Sequence, residues 1–349
     1  MIPIFDYRIR DDGSRDSEAL KDFIFHVVEH GFGILQLFNE ESVKRIEKNC
    51  DLDLFRSCGA KYDDIINGTE EERKNSLKLL GGVRKKSATS HIFYTKPIFD
   101  IQISKTMQYI FDSLYDSTYK SKNPLYKSPF KIEGNSLPFL DRYGFRLPSW
   151  IPPVTFEDGT TIGPEEGLGL HVDMDPYNPY LYDDNNVSQL IKWRPFQSFV
   201  TISDHSMENN GGLCVVPDFH KRLNDFFGSY SRGTKIVERM DSHSGEFFRM
   251  GECDGTPGME CIPVLAPAGS LILWDSRLPH KTTKRCDNPL GRKQIYGSWI
   301  PNCEINRKLA EMERKHFQKV ILPPQELEWI KCYKSPDLIL NNFQKRYFG

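Results

Sequence analysis

Long apolar runs are missing from this 349-residue chain, and with them the roughly 18 apolar residues that a membrane-spanning helix needs. The opening MIPIFDYRIRDDG has no apolar core with a cleavage pattern, and the closing QKRYFG carries no peroxisomal or retention address. These absences set the expectation of a cytoplasmic protein. A dominant charge sign is lacking too. The 46 Lys and Arg against 48 Asp and Glu leave a net charge of -2, so neither nucleic acid nor an anionic membrane is an expected partner. Paired cysteines are also absent. The eight cysteines are scattered without a CxxC motif, which argues against a disulfide framework in a chain this long. Cys253 and Cys261 frame a polar loop that could hold a metal with a histidine, although free thiols are the plainer reading. Internal repeats and low-complexity segments are missing as well.

Ordinary globular patterning fills the chain instead. In SEALKDFIFHVVEHG, Leu20, Phe23, Ile24, Val27 and Val28 recur at helical spacing, Asp16 or Ser17 can cap the start, and Gly31 ends it. GFGILQLF reads as a buried strand and EESVKRIEKN as a second helix. Residues 50–96 read as polar and irregular, and 98–115 as a helix with Met107, Ile110, Phe111 and Leu114 on one stripe. From about 124 to 301 come short apolar runs bounded by turn residues: FQSFVTI, GGLCVVP, CIPVLAP, GSLILW and QIYGSWI. Such runs predict a β-sandwich or barrel. NRKLAEMERKHFQKVI, PQELEWIKCY and SPDLILNNFQKRYF then predict helices divided by prolines. The expected class is mainly β with flanking helices, in a single domain: an elaboration over 1–123, a core over 124–301 and C-terminal helices over 302–349. DDNN at 183–186 and the stretch 155–167 read as loops.

HVDMDPYNPY, at 171–180, carries the first chemical signal. On a strand, positions i and i+2 point the same way, so His171 and Asp173 can reach one ion. His280 follows more than a hundred residues later, just after the apolar run GSLILWD. Two imidazoles and a carboxylate suit non-haem iron(II) and leave coordination positions open for a cosubstrate and oxygen. The HxD pair alone is more often a surface histidine beside a turn aspartate. Arg292 heads the strand RKQIYGSWIP with Gln294 on its face, placed to pair with the carboxylate of a dicarboxylate cosubstrate. Alternation sends Lys293 the opposite way. An intact Asp173 leaves no room for halide, which favours hydroxylation.

Together these residues resemble the phytanoyl-CoA dioxygenase-like (PhyH) branch of the iron(II)/2-oxoglutarate oxygenases. RPFQSFVTISDHSMENNGGLCVVPDFHK and PAGSLILWDSRLPHKTTKRCDNPLGRKQIYGSWIP are similar to its central and second-histidine blocks. FLDRYGFRLP resembles the stretch before its metal motif, and HVVEHGFGILQLFNEES its opening helix and strand. The resemblance implies a double-stranded β-helix, a cupin-like jelly-roll core. It also implies Fe(2+) on His171, Asp173 and His280, with 2-oxoglutarate clamped by Arg292 and O2 as the other cosubstrate. The interval from His280 to Arg292 is slightly longer than is usual in that family, which keeps Lys293 as an alternative. Where the family has glycine-serine-histidine, this chain has Asp218-Phe219-His220, and His220 reads as structural.

Gln197 is mid-strand, placed either to contact cosubstrate or to bond a neighbouring loop. Trp274 reads as core and Asp275 as a turn anchor. Arg277 is placed to orient substrate or to hold its loop by an ion pair. By resemblance, His91 and Arg142 border the pocket. His205, His243 and His316 have no supporting context, and Arg84-Lys85-Lys86 reads as ordinary surface. The expected activity is a 2-oxoglutarate-dependent dioxygenase hydroxylating a small molecule, with release of succinate and CO2. The competing readings are a non-catalytic jelly-roll binding protein and a hydroxylase of protein residues. The namesake substrate does not transfer, because fold does not choose substrate.

Overall fold

Asp16 starts the first helix, α1 (Ser17–His30), by accepting hydrogen bonds from the backbone N–H groups of Glu18 and Ala19. Its buried face is Leu20, Phe23, Ile24 and Val27. Gly31, at φ 82°, turns the chain in the left-handed region, where a Cβ would sit 2.7 Å from His220 Nδ1. The chain then enters a fully buried strand, β1 (Phe32–Gln36). The computed structural model describes residues 2–10, 12–81, 83–85, 89–157, 159, 161–174, 176, 192–228, 248–250, 255–324 and 332–349.

Eight further strands matter for the site: β2 (Tyr143–Arg146), β3 (His171–Val172), β4 (Phe196–Thr201), β5 (Leu213–Val215), β6 (Ile262–Pro263), β7 (Ser270–Asp275), β8 (His280–Thr282) and β9 (Arg292–Tyr296). The larger sheet has eight strands, with β1, β7, β4, β9 and β2 adjacent in that order. Ile4–Asp6 lies at one edge, and Thr89–Ser90 and Arg84–Lys85 at the other. The smaller sheet runs Phe248–Arg249, β3, β8, β5, β6. From β2 to β9 the chain therefore passes repeatedly between the sheets.

Strand alternation builds two cores. On β7, Leu271 and Leu273 face a cluster shared with α1 and other helices, including Phe23, Phe99 and Phe111. Ile272 and Trp274 face the smaller sheet, packing in one cluster with Phe199, Val172, Leu213 and Val215. One side of the larger sheet thus anchors helices, while the other, with the smaller sheet, forms the interior in which the site lies.

The helical content exceeds the mainly β expectation. The fold mixes helices with a large sheet, and among the described residues it is 34% helical. The stretch 50–96, read as irregular, is largely helical: the second helix runs Glu40–Cys58, followed by Tyr62–Asn67 and Glu70–Leu80. A capping box between Thr69 and Glu72 starts the last of these, and Leu77 and Leu80 bury its face. The 98–115 stripe divides into Lys96–Gln102 and Lys105–Ser117, the second capped by Ser104. In SPDLILNNFQKRYF only Lys345–Phe348 is helical. There the Asn341 side chain accepts from the N–H groups of Phe343 and Gln344 and holds a turn instead. Glu304–Lys319 is helical as expected. Most of PQELEWIKCY lies outside the described residues, as do 183–186, Lys86, His243 and Cys253. Among the described residues no helix is long and apolar enough to cross a membrane.

Leu273→Ala should remove side-chain packing between sheet and helices and destabilise the protein by about 2–5 kcal/mol. Urea unfolding measures this, and a loss below about 1 kcal/mol would contradict the assignment of this face to the core.

Candidate metal centre

His280 opens β8 directly opposite His171 on β3, so the two imidazoles lie on one face of the smaller sheet with ring centroids 4.2 Å apart. A tight turn delivers His280 there. The backbone N–H of Asp275 donates to the Gly31 carbonyl at 2.6 Å, and its carboxylate accepts from Arg277 N, Nε and Nη2. Strand β3 ends at Val172, and Asp173 sits in the bend just beyond it. Its side chain nevertheless reaches both rings. Asp173 Oδ1 is 3.4 Å from His171 Nε2, and Oδ2 is 3.5 Å from His280 Nε2. One ligand atom from each of the three residues lies within 4.8 Å of the others.

Backbone carbonyls hold a hydrogen on Nδ1 of both rings. His171 Nδ1 lies 2.7 Å from the Gly169 carbonyl and His280 Nδ1 3.0 Å from that of Leu278. A carbonyl can only accept, so each Nδ1 carries a hydrogen, which leaves Nε2, the atom facing Asp173, as the one that can offer a metal its lone pair. Burial first, and then the His280 ring, lowers the His171 pKa below its ordinary value, so the ring is neutral at neutral pH. Burial opposes the charge on Asp173, but at the acid pH where a carboxyl titrates the charge and Nε2–H of the protonated His171 ring, with a smaller contribution from His280, outweigh it and hold the carboxyl well below the usual carboxylate range. Atoms each about 2.1 Å from a shared ion, at near-right angles, lie about 3 Å apart. The three donors therefore fit a divalent metal with small adjustments, and the set matches the two-histidine, one-carboxylate face that iron(II) favours.

The triad opens on a cavity of about 230 Å³ whose walls include Arg142, Gln197, Trp274 and Arg292. Along β9, Arg292, Gln294 and Tyr296 line it, as strand alternation requires. Lys293 points the other way, and its ammonium pairs with Glu47 at 2.9 Å and Asp51 at 2.8 Å. That outward ion pair removes Lys293 as the alternative to Arg292. The Arg292 guanidinium is buried and donates through Nη1 to the Gly211 carbonyl at 2.6 Å. Its Nε and Nη2 have no hydrogen-bond partner among the described residues. These two atoms form one edge of the guanidinium, the spacing that binds a carboxylate bidentately. Gly211 has φ 77°, and a Cβ there would press on the Arg146 side chain. Nearby, burial and the Arg292 charge push the fully buried His205 down to about 3.

The remaining expected residues separate. Gln197 accepts from Arg194 Nη2 at 3.1 Å, while its own Nε2 is unpartnered among the described residues. Arg142 stacks over Phe93 and bonds Asp141 at 3.3 Å. His91 is buried but is not in the cavity wall. Arg277 is locked on Asp275, on the Leu125 carbonyl and over Tyr126, which is the loop-holding role. His220 Nε2 contacts the Val28 carbonyl at 3.1 Å, a structural role. Two residues had no place in the sequence reading. Arg194 lies between Gln197 and Asp141. Buried Arg146 ties β2 to the carbonyls of Thr283, Glu165 and Lys284. Neither sits in a spacing motif; each acquires its role from partners distant in sequence.

With His171 neutral, nitrogen-resolved NMR of the metal-free protein at neutral pH should show its Nδ1–H tautomer. A doubly protonated ring or an Nε2–H tautomer would contradict the carbonyl-fixed geometry.

Comparison with known proteins gives three findings. The family model described as phytanoyl-CoA dioxygenase (PhyH) matches residues 160–286. No curated protein matches the chain. Among solved structures, the chain is similar to GlcNAc Inducible Gene 2, GIG2 (DUF1479), from Candida albicans. The TM-score is 0.63 at 15% identity, covering 100% of this chain and 79% of that one. It is also similar to the hypothetical protein JW0805 from Escherichia coli, with TM-score 0.62 at 17% identity, covering 99% and 84%. At these identities the likeness is one of fold. The stretch matched by the phytanoyl-CoA dioxygenase (PhyH) family model, residues 160–286, contains His171, Asp173 and His280.

Proposed function

We infer that this protein is an iron(II)/2-oxoglutarate-dependent oxygenase, built as one oxygenase domain around a double-stranded β-helix, that hydroxylates a small molecule. The observation that carries the reading is the pairing, in one cavity, of the three convergent donors with the Nε–Nη2 edge of Arg292, unpartnered among the described residues. A buried guanidinium edge left without a partner is costly, and the distal carboxylate of a dicarboxylic acid satisfies it. His171, Asp173 and His280 would hold Fe(2+), with each imidazole kept in its ligating tautomer by a backbone carbonyl. Iron with 2-oxoglutarate supplies oxidation by O2 coupled to release of succinate and CO2.

The chain's own residues select and orient. Arg292 sets the cosubstrate's far end, and the Nε2 donor of Gln197 is available to its oxygens. Phe199, Leu213 and Trp274 form apolar walls that limit water around the centre. The Trp274 Nε1 hydrogen is a further unpartnered donor among the described residues. An intact Asp173 fills the position that a halide would need, which supports hydroxylation as the outcome.

Anaerobic addition of iron(II) and 2-oxoglutarate to metal-free protein should produce a weak visible charge-transfer band. Asp173→Ala should abolish the band. Arg292→Ala should raise the 2-oxoglutarate concentration needed by roughly ten- to a hundred-fold, the scale of a lost bidentate charged pair. A wild-type protein that forms no band would fit a non-catalytic binding protein and sink this reading.

A further inference from the structure

Trp274 and Gln197 are direct partners across β7 and β4, so their side chains are neighbours on one face of the larger sheet. Both line the cavity on which the triad opens, and both are buried. Trp274 Nε1 and Gln197 Nε2 have no hydrogen-bond partner among the described residues. Each of these atoms is a donor by its chemistry. An indole nitrogen can only donate. The Gln197 amide is oriented by Arg194, whose Nη2 donates to Oε1 at 3.1 Å. A guanidinium cannot accept, so the other end of that amide is its NH2. Two neighbouring N–H donors are thus buried in one cavity wall without an acceptor among the described residues, a state that folded proteins seldom tolerate unless a ligand completes it.

Their position indicates which part of a ligand they meet. The Trp274 ring lies beside that of His280, at 5.4 Å between centroids, which puts the pair at the metal end of the cavity. Arg292 belongs toward the other end. On β9, Gln294 pairs with Thr201, and Arg292 lies beyond it in the direction away from Gln197. Charge divides the two ends in the same way. A 2-oxo dicarboxylate brings one negative charge to each end, and at the far end Arg292 supplies the matching cation. At the near end a divalent ion less the Asp173 charge leaves one positive charge, which the 2-oxo acid's own carboxylate cancels. Neutral N–H donors are what remains to be supplied there, for the carboxylate oxygen that the metal leaves free. Arg194, also in this wall, is occupied by Asp141 and by the Gln197 oxygen. A second cavity bordered by Asp173 has neither Trp274 nor Gln197 in its wall, which assigns the pair to the cosubstrate.

We propose that Trp274, with Gln197, is the second half of the cosubstrate clamp: its indole N–H binds the 2-oxo acid's carboxylate at the metal end, opposite the end held by Arg292. This rests on the oxygenase reading, and the test separates the two. Full-length protein is loaded anaerobically with iron(II) and titrated with 2-oxoglutarate or with 2-oxopentanoate, which keeps the 2-oxo acid but lacks the distal carboxylate. The visible band reports binding without turnover. Trp274→Phe should weaken both ligands by the same factor, roughly ten-fold, the scale of a hydrogen bond to a charged group. Gln197→Glu, which keeps an acceptor for Arg194 and loses the donor, should weaken both by at least as much. Arg292→Ala should weaken 2-oxoglutarate alone. In wild-type protein carrying zinc(II), the Trp274 indole N–H resonance, assigned through its proximity to the His280 ring, should move downfield when either ligand is added. If the wild-type band forms but Trp274→Phe binds both ligands like wild type, or loses affinity only for 2-oxoglutarate, the Trp274 assignment falls and the oxygenase reading stands. An indole resonance that stays in place at saturation overturns the assignment equally, even where the variant does not fold. If wild-type protein forms no band, the oxygenase reading falls and takes the proposal with it.

Discussion

The antiparallel pairing of His171 with His280 is the constraint on which the site depends. It brings together two imidazoles more than a hundred residues apart in the chain, and it needs the whole β7-to-β8 turn to hold register. Gly31, Asp275, Arg277 and His220 all serve that turn, through hydrogen bonds and close packing rather than through chemistry. A slip of one residue in β8 would send His280 to the opposite face of the sheet and leave Asp173 with a single imidazole. The carbonyls of Gly169 and Leu278, each two residues before its histidine, complete the design by fixing the tautomers.

The same period-two geometry sorts charge on β9. Arg292 and Gln294 face the cavity, while Lys293 between them is just as buried but fully paired with acids on the helix Glu40–Cys58. Adjacent cations of similar burial thus take opposite roles, one anchoring a helix to the outer face of the sheet and one kept available inside. The edge of Arg292 that has no partner among the described residues is the more informative of the two, because a folded protein seldom leaves a buried guanidinium edge unpaired unless a ligand completes it.

Much of this was legible in the sequence. Strands β4, β5, β7 and β9 follow from short apolar runs between turn residues, and the triad from an HxD pair followed by a histidine behind an apolar strand. Alternation alone chose Arg292 over Lys293, and the ion pairs of Lys293 agree. The helices at 62–80 were missed because their burial is carried by a few residues, such as Ile65, Ile66, Leu77 and Leu80, within highly polar stretches. The balance of helix and strand was misjudged for the same reason. Arg146 and Arg194 were missed because nothing local marks them: their partners lie on other segments and come together only on folding. Asp173 was expected on a strand and lies just beyond its end, so the expected convergence is met by a bend rather than by alternation.

The most direct test of the central claim is a crystal structure grown anaerobically with iron(II) and 2-oxoglutarate. The account predicts one iron bound by His171 Nε2, the Asp173 carboxylate and His280 Nε2, with the cosubstrate's distal carboxylate against Nε and Nη2 of Arg292. Iron bound elsewhere, or a cosubstrate that leaves that edge of Arg292 empty, would contradict it.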